Sequence, residues 1–333
     1  MEFSFLFADW LGKPLWLWGA FGALVLTLLV FDLGVLNRGS KEIGVGRSLA
    51  LSAFYIAAGV AFGGYVWSVY GSKAGVDYLT GFALEKTLAL DNIFVIATIF
   101  AYFGVPRAYQ HRVLVYGILG VIVLRALLIG AGTAIVMQFH WVLYGFAVLL
   151  VVTGVKMAMP GSASGHDLSA NPVLKMLRRR FNVTEGLHGE RFFVTLEKNG
   201  RRVRHATPLF LALVMIELAD LVFAIDSVPA VLAITTDPFI VYTSNIFAIL
   251  GLRALYFALS AMTERFAYLK YALAAVLVFI GGKILVADML GLGKVPPLLS
   301  LSVTLGLLVA GVVASLVLTR DVPKGAGEAD ERA

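Results

Sequence analysis

The sequence predicts an all-α protein, a polytopic bundle of about nine membrane-spanning helices. Of its 333 residues, 59% are hydrophobic and only 14% are charged, whereas a water-soluble domain carries about 25% charged residues. The apolar residues are gathered into nine runs of 20 to 30 residues, the length at which a helix crosses a bilayer. Within these runs, acidic and basic residues recur at matching spacings.

The nine runs can be oriented by the charges that flank them. They lie at 15–36, 48–70, 78–103, 113–138, 140–159, 207–236, 239–263, 266–287 and 298–319. Nineteen Lys and Arg residues fall on one side of such a bundle and three, Lys13, Lys73 and Lys294, on the other. Since cytoplasmic loops are rich in Lys and Arg, we expect the amino terminus outside and the carboxyl terminus in the cytoplasm.

This distribution also predicts the location and surroundings of the chain. We expect an integral protein of a bacterial inner (cytoplasmic) membrane, embedded in the lipid bilayer. The net charge of +6 is explained by basic loops facing anionic lipid, and no nucleic-acid partner is expected. With no cysteine in the sequence, disulfides and thiolate metal sites are excluded.

The chain divides into a transmembrane bundle over 1–320 and one sizeable polar loop, 160–206, on the cytoplasmic side. Residues 171–181 are typical of a short basic helix, and 191–207 alternate around Asn199-Gly200, a strong hairpin signal. We therefore expect a basic helix and a small β-hairpin in this loop. The tail, 321–333, is polar and predicted to be disordered.

Three carboxylates stand inside the sixth run, those of Glu217, Asp220 and Asp226. Inserting these three carboxylates at mid-membrane costs about 9 kcal/mol of free energy. Inserting the large apolar residues of the run contributes about 7 kcal/mol in favour. The helix therefore needs partners, protons or a cation for its acids, and an ionisable group in the membrane indicates an ion or proton pathway.

Two stretches, about 78–159 and 207–287, share one order of polar residues. Each has an acid, an Asp six residues later, an Arg-Ala-Leu sequence, and a Lys about 30 residues after the Arg. Because each stretch holds three spans, the two copies must have opposite orientations, and inverted repeats are typical of secondary transporters. The shared residues are Glu85, Asp91, Arg125 and Lys156 in the first stretch, and Asp220, Asp226, Arg253 and Lys283 in the second.

The four repeated acids are the predicted metal ligands. Oxygen-only ligation suits Mg²⁺, Ca²⁺ and Mn²⁺, and the His residues fall in loops or at span ends. Six residues of a regular helix turn through about 600°, so the two acids of each repeat lie on different faces. Convergence of all four acids would therefore need a kink, such as one at Pro229. Further candidate ligands or pathway residues are Asn92, Glu217, Ser227 and Asn245.

Other roles are open for the same residues. Asp91 and Asp226 could pair with Arg125 and Arg253 as structural salt bridges, and both arginines are expected to balance charge rather than to touch a substrate. Lys156 and Lys283 could also balance charge, or they could extend their amines to the two membrane–water interfaces. Glu217 is a fifth ligand or a proton carrier, and Asp32 is an interfacial cap or lines the pathway.

Several segments resemble the TerC/Alx family of integral membrane proteins. They are Ala89-Leu90-Asp91-Asn92-Ile93-Phe94-Val95, Ala206-Thr207-Pro208-Leu209-Phe210, 217–230, and 244–257. The resemblance covers most of 15–320, and the family's acidic positions match Glu85, Asp91, Asp220 and Asp226. It implies manganese export, in a family named for tellurite resistance, and this resemblance is the only ground for preferring Mn²⁺.

Together, these features predict a secondary transporter that exports Mn²⁺ in exchange for protons, with no prosthetic group and no enzymatic activity. One alternative is a non-transporting partner of a metal-resistance or secretion and metalation complex, acting through 160–206. Others are a Ca²⁺ carrier of the same mechanism and a carrier of tellurite-like oxyanions. An intramembrane aspartyl protease also needs two membrane Asp residues, but the sequence has no Gly-x-Gly-Asp.

Overall fold

The computed structural model describes residues 7–32, 45–139, 141–159, 171–198, 201–260, 268–289 and 296–318. Within these ranges the chain forms ten helices and two antiparallel two-stranded hairpins. The helices are α1 (Leu15–Val30), α2 (Val45–Tyr102), α3 (Arg107–Gln138), α4 (Val142–Ala158), α5 (Pro172–Arg180), α6 (Pro208–Leu232), α7 (Pro238–Ile249), α8 (Leu252–Leu259), α9 (Leu269–Met289) and α10 (Pro297–Leu318). The strands are β1 (Asp9–Trp10), β2 (Lys13–Pro14), β3 (Phe193–Lys198) and β4 (Arg201–Ala206).

Among the residues described, nine helical segments correspond to the nine predicted crossings of the membrane. Six helical segments are long and apolar enough to span a membrane, and α7 with α8 counts as one of them. The 58-residue α2 holds two crossings, because its helical geometry is interrupted at Gly71. The shorter apolar helices α1 and α4 supply the remaining two. The predicted polytopic helical bundle is therefore confirmed.

The second and third crossings are joined by one residue rather than by a loop. Gly71 has φ 87° and ψ 172°, a conformation that glycine adopts far more readily than other residues. At Gly75, an added Cβ would lie 2.5 Å from the Cβ of Trp67, so the two arms of α2 meet closely beside the turn. The sequence predicts a connecting loop between residues 70 and 78, and the structure has a tight helical corner there instead.

The third helices of the two repeated stretches run in opposite directions. Gly154 of α4 lies against Ala274 of α9, whereas Gly281 of α9 lies against Ala147 of α4. Contacts that move forward along one helix therefore move backward along the other.

The first helices of the two stretches are antiparallel as well. In the second half of α2, Gly81 lies against Val231 of α6, and Asn92 donates a hydrogen bond to Asp220 of α6. In an inverted repeat, each helix of one copy runs antiparallel to its counterpart in the other copy. The first and third helices of the two stretches both do so.

The seventh crossing is broken, although the sequence predicts a continuous span over 239–263. Helix α7 ends at Ile249 and α8 begins at Leu252. Between them Gly251 has φ +77°, and a Cβ there would lie 2.7 Å from Tyr55. A glycine is needed for both reasons, and broken helices are a common feature of transporters.

The polar loop holds the basic helix and the hairpin that the sequence predicts. The side chain of Asn171 accepts a hydrogen bond from the amide of Val173 and caps α5. Strands β3 and β4 pair from Phe193 with Ala206 to Lys198 with Arg201. The turn Asn199-Gly200 and the tail 321–333 lie outside the described residues.

Candidate functional site

Arg125 is the centre of a buried charged group between the two repeats. It lies midway along α3, is 3% exposed, and is flanked by Glu85 of α2 and Asp220 of α6, which are 2% and 6% exposed. Its Nη2 donates to Asp220 Oδ1 at 3.0 Å and its Nε to Asp220 Oδ2 at 3.2 Å. Its Nη1 donates to Glu85 Oε2. One guanidinium thus joins acids that come from different repeats.

Three neutral polar residues surround this ion pair. Asn92 Nδ2 donates to Asp220 Oδ1 at 3.2 Å. Arg125 Nη1 approaches Ser227 Oγ at 3.4 Å and Asn245 Oδ1 at 3.5 Å. All three residues are at most 5% exposed. The structure therefore brings together Glu85, Asp220, Arg125, Asn92, Ser227 and Asn245, six residues that the sequence singles out.

Several polar atoms of this group have no hydrogen-bond partner among the described residues. They are Glu85 Oε1, Asn92 Oδ1, Asn245 Nδ2 and, on the neighbouring turn of α6, Glu217 Oε2. A buried polar atom left unpaired costs about 1–3 kcal/mol. Four such atoms around one buried ion pair indicate a site built to receive a ligand or water.

Glu217 lies against a glycine of α3. A Cβ added at Gly120 would be 2.2 Å from Glu217 Oε1. The carboxylate therefore occupies the space that a side chain at position 120 would fill. One helical turn separates Glu217 from Asp220, so the two acids share a region of α6.

Asp226 does not join the Arg125 group. Its Oδ1 accepts a hydrogen bond from Thr153 Oγ1 of α4 at 3.2 Å. Six residues of helix rotate the side chain by about 240° beyond one full turn, so Asp226 faces α4 while Asp220 faces α3. The alternative pairing of Asp226 with Arg253 is therefore wrong. The side chain of Asp91 lies outside what the structure describes.

Of the predicted metal ligands, Glu85 and Asp220 meet at one centre and Asp226 lies apart from them. Among the described residues, no group of three or more His, Asp or Glu side chains stands close enough to hold a metal ion. Glu85 and Asp220 share one centre, and Arg125 lies between them. The available donors are carboxylate, amide and hydroxyl oxygens, the types that Mg²⁺, Ca²⁺ and Mn²⁺ bind.

Arg253 forms a second buried charged group, away from Asp226. Its Nη2 lies 2.9 Å from Asp32 Oδ1 and donates to the Asp32 carbonyl at 2.7 Å. Its Nη1 lies 2.6 Å from His111 Nε2. Since an arginine has no acceptor, the imidazole must accept at this nitrogen. The sequence did not reveal this role of His111, which looks like an ordinary residue at a span end.

The two repeated lysines have different surroundings. Lys156 is exposed in the last turn of α4. Lys283 is half-buried and donates to Ser300 Oγ of α10 at 2.9 Å. It lines a cavity of about 950 Å³ with Asp77, Thr80 and Asp237. This cavity opens at the bundle end that the sequence predicts to be outside, and it is hereafter the outer cavity.

Lys86, which no sequence pattern singled out, holds the broken seventh crossing. Its Nζ donates to the carbonyl oxygens of Ala248 and Leu250, each at 3.0 Å. These carbonyls lie at the end of α7, where the helix leaves its last oxygens without intrahelical partners. The signal that could have revealed this role is a lysine next to Glu85 in an apolar span.

Known proteins resemble this chain over nearly its whole length. The sequence model of a family described as "Integral membrane protein TerC family" matches residues 70–322. An uncharacterized membrane protein of Myxococcus xanthus, STKORF319, is 43% identical over 313 residues, 94% of this chain and 96% of that protein. An uncharacterized membrane protein of Rickettsia bellii (strain RML369-C) is 45% identical over 300 residues, 90% of this chain and 97% of that protein. A Salmonella typhi protein named "Putative membrane-bound redox modulator Alx" is 44% identical over 311 residues, 91% of this chain and 94% of that protein. No solved structure matches the chain.

Proposed function

The chain belongs to the TerC family of integral membrane proteins, and from that premise we propose that it is a secondary transporter exporting Mn²⁺ in exchange for protons. The observation that carries the proposal is the ion pair of Arg125 with Glu85 and Asp220, buried where the repeats meet. Secondary transporters bind their substrate at such an interface.

The chemistry of the site suits a divalent cation. Glu85 and Asp220 carry two negative charges and Arg125 carries one positive charge, so the group favours additional cations. In the state described, the guanidinium is a cation tethered to the protein and held by both carboxylates. A metal ion that displaced it would meet two carboxylates and the neutral oxygens of Asn92, Ser227 and Asn245.

Proton coupling follows from the same carboxylates. A carboxylate binds either a metal ion or a proton, so loading from one side and release to the other exchanges the two species. Glu217, half-buried one turn from Asp220, is the proposed proton carrier. Asp226 stands about 9 Å farther along α6 than Asp220, and we assign it and Asp91 to the pathway on either side of the centre.

The choice of manganese rests on the family resemblance, because hard oxygen donors accept Ca²⁺ and Mg²⁺ too. A redox role of the kind that the Salmonella typhi relative is named for would need a redox group. The present chain has no cysteine, so its own side chains offer no thiol for such chemistry. The proposal accordingly assigns no enzymatic activity and no prosthetic group.

Flux into proteoliposomes tests this proposal. Purified protein is reconstituted with an internal pH dye and offered Mn²⁺, Ca²⁺ and Mg²⁺ separately. We expect Mn²⁺ flux with opposing proton movement, and loss of both in Asp220→Asn. Asp9→Asn, which removes an exposed carboxylate, is the matched control and should transport normally. Normal Mn²⁺ flux in folded Asp220→Asn would refute the site.

A second candidate is a membrane partner of another protein, bound through the polar loop. The observation that favours it is the row of basic residues Arg178, Arg179 and Arg180 in the last turn of α5. All three are exposed. Replacing them with Gln separates the two functions: transport should survive if the loop is accessory. Loss of metal resistance in cells with unchanged flux in proteoliposomes would instead favour the partner role.

The proposed setting is a bacterial inner membrane, with the amino terminus outside. Because the chain has no cysteine, a single Cys introduced at Lys13 or at Arg178 is the only thiol. An impermeant maleimide added to intact cells should label Lys13→Cys and leave Arg178→Cys unlabelled until the cells are opened. The reverse pattern would invert the proposed direction.

A further inference from the structure

We propose that Arg253 is a second counter-cation for Asp220, replacing Arg125 there when the two repeats exchange conformations. The inference rests on the proposed function, since it requires a protein that alternates between two states. It assigns to Arg253 a role in the transport cycle, in addition to its contacts in the state described.

In that state Arg253 is held at the ends of two other helices. Its Nη atoms contact Asp32, just after α1, and His111, near the start of α3. The residue is 1% exposed, and its Nε has no hydrogen-bond partner among the described residues. One donor of this buried guanidinium is therefore unused.

A small cavity separates Arg253 from Asp220. It has a volume of about 20 Å³ and is lined by both residues, by Asn92, and by glycine and apolar side chains including Gly117. The Asn92 Oδ1 atom also lacks a hydrogen-bond partner in the described part of the chain. This volume is about that of one water. Arg253 and Asn92, each with one unpaired polar atom, both line this gap together with Asp220, so it lies between the guanidinium and the carboxylate that it would bind.

The repeat makes Arg253 the counterpart of Arg125. Both begin an Arg-Ala-Leu sequence, and Glu85 corresponds to Asp220. Arg125 binds Glu85 in its own repeat and Asp220 in the other. When inverted repeats exchange conformations, equivalent residues exchange environments. Arg253 would then bind Asp220 in its own repeat, and Glu85 would be its partner from the other.

The backbone beside Arg253 supplies a hinge for this movement. Arg253 is the second residue of α8, an eight-residue helix, and lies just after the break at Gly251. Gly251 has φ +77°, so the chain is not helical between α7 and α8. A short helix beyond such a break can move without distorting its neighbour, as hinge residues at element ends commonly allow.

A simpler role for Arg253 would be to tether α8 to α1. The two roles predict different consequences of neutralising Asp32. If Arg253 is only a tether, neutralising Asp32 loosens the bundle. If Arg253 is a counter-cation, it is released, moves toward Asp220 and displaces Arg125. The outer cavity is lined by elements of both repeats, so in the proposed exchange the second event closes it.

A thiol reporter detects this closure in the purified full-length protein in detergent. Ala233, half-buried at the outer cavity, is replaced in Ala233→Cys, which adds the only thiol to a chain without cysteine. In Asp32→Asn, its rate of reaction with a water-soluble maleimide should fall about tenfold, as a two-state equilibrium shifts when one charged contact is lost. Adding Arg253→Gln should restore the rate. A reporter at the exposed Glu185, Glu185→Cys, should react equally in all backgrounds.

Two results would overturn the proposal: an unchanged rate in Asp32→Asn, or a fall that persists with Arg253→Gln. If Asp32→Asn does not elute as folded protein, Arg125→Lys replaces it, since a lysine cannot reproduce the paired guanidinium contacts to Asp220. Mn²⁺ flux is measured separately on the protein without substitutions. A rate shift without flux upholds the exchange and refutes transport, while flux without a shift does the reverse.

Discussion

Gly154 and Gly281 pack reciprocally at the crossing of α4 and α9. A Cβ at Gly154 would lie 2.7 Å from the carbonyl oxygen of Ala274, and a Cβ at Gly281 would lie 2.5 Å from that of Ala147. Each glycine thus meets the residue seven positions before the other glycine: Ala274 precedes Gly281 by seven residues, and Ala147 precedes Gly154 by seven. This two-fold relation is direct geometric evidence for an inverted repeat.

The closeness of this crossing predicts opposite outcomes at two adjacent glycines. Gly281→Ala forces its methyl group against a backbone carbonyl and should destabilise the protein by about 1–3 kcal/mol. Gly282→Ala meets nothing within 4 Å and should be neutral, or stabilising by up to about 1 kcal/mol through helix propensity. Thermal unfolding in detergent measures both. Equal stability of the two variants would contradict the packing described.

Removal of the central arginine should be severely destabilising. Arg125→Gln leaves Glu85 and Asp220 buried without their counter-charge, at a cost of about 3–5 kcal/mol. Adding Glu85→Gln and Asp220→Asn removes the unpaired charges and should restore most of the stability. The free energy of unfolding of the single and triple variants tests this prediction. A triple variant no more stable than Arg125→Gln would show that the charges are not coupled.

Lys86 should stabilise the bundle through the end of α7. Lys86→Met keeps the apolar length of the side chain but removes the donor to the carbonyls of Ala248 and Leu250, which should cost about 1–3 kcal/mol. Lys156→Met, at an exposed position in the last turn of α4, is the control and should unfold at the wild-type temperature. A similar unfolding temperature for Lys86→Met would show that solvent or another donor replaces the amine.

The position of Glu217 depends on the absence of a side chain at Gly120. In Gly120→Ala the carboxylate must move, so we expect lower stability and reduced Mn²⁺ flux. At Gly117 an added Cβ would be 3.8 Å from its nearest neighbour, an ordinary contact, so Gly117→Ala should be tolerated. Glu217→Ala should rescue the stability of Gly120→Ala but not its flux. Failure of that rescue would mean that the clash lies elsewhere on α6.

The sequence by itself determined the membrane bundle, because the length and apolarity of a span are local properties of the chain. The order of acid, Asp, Arg and Lys likewise predicted the repeat before any contact was known. The hairpin was predicted from alternation around Asn199-Gly200, again a local signal. The spans and the hairpin depend on physics within one segment, and the repeat on comparing two segments, so none of the three needs knowledge of tertiary contacts.

Only the tertiary structure decided which charged groups meet. Spacing within α6 separates Asp220 and Asp226 onto different faces, but which helix each face contacts depends on the packing of the whole bundle. That packing gives Asp220 to Arg125, 95 residues away, and gives Asp226 to Thr153. It also brings Arg253 to the Asp32 carbonyl over 221 residues. Such pairs depend on the rotation and depth of separate helices, which no local pattern fixes.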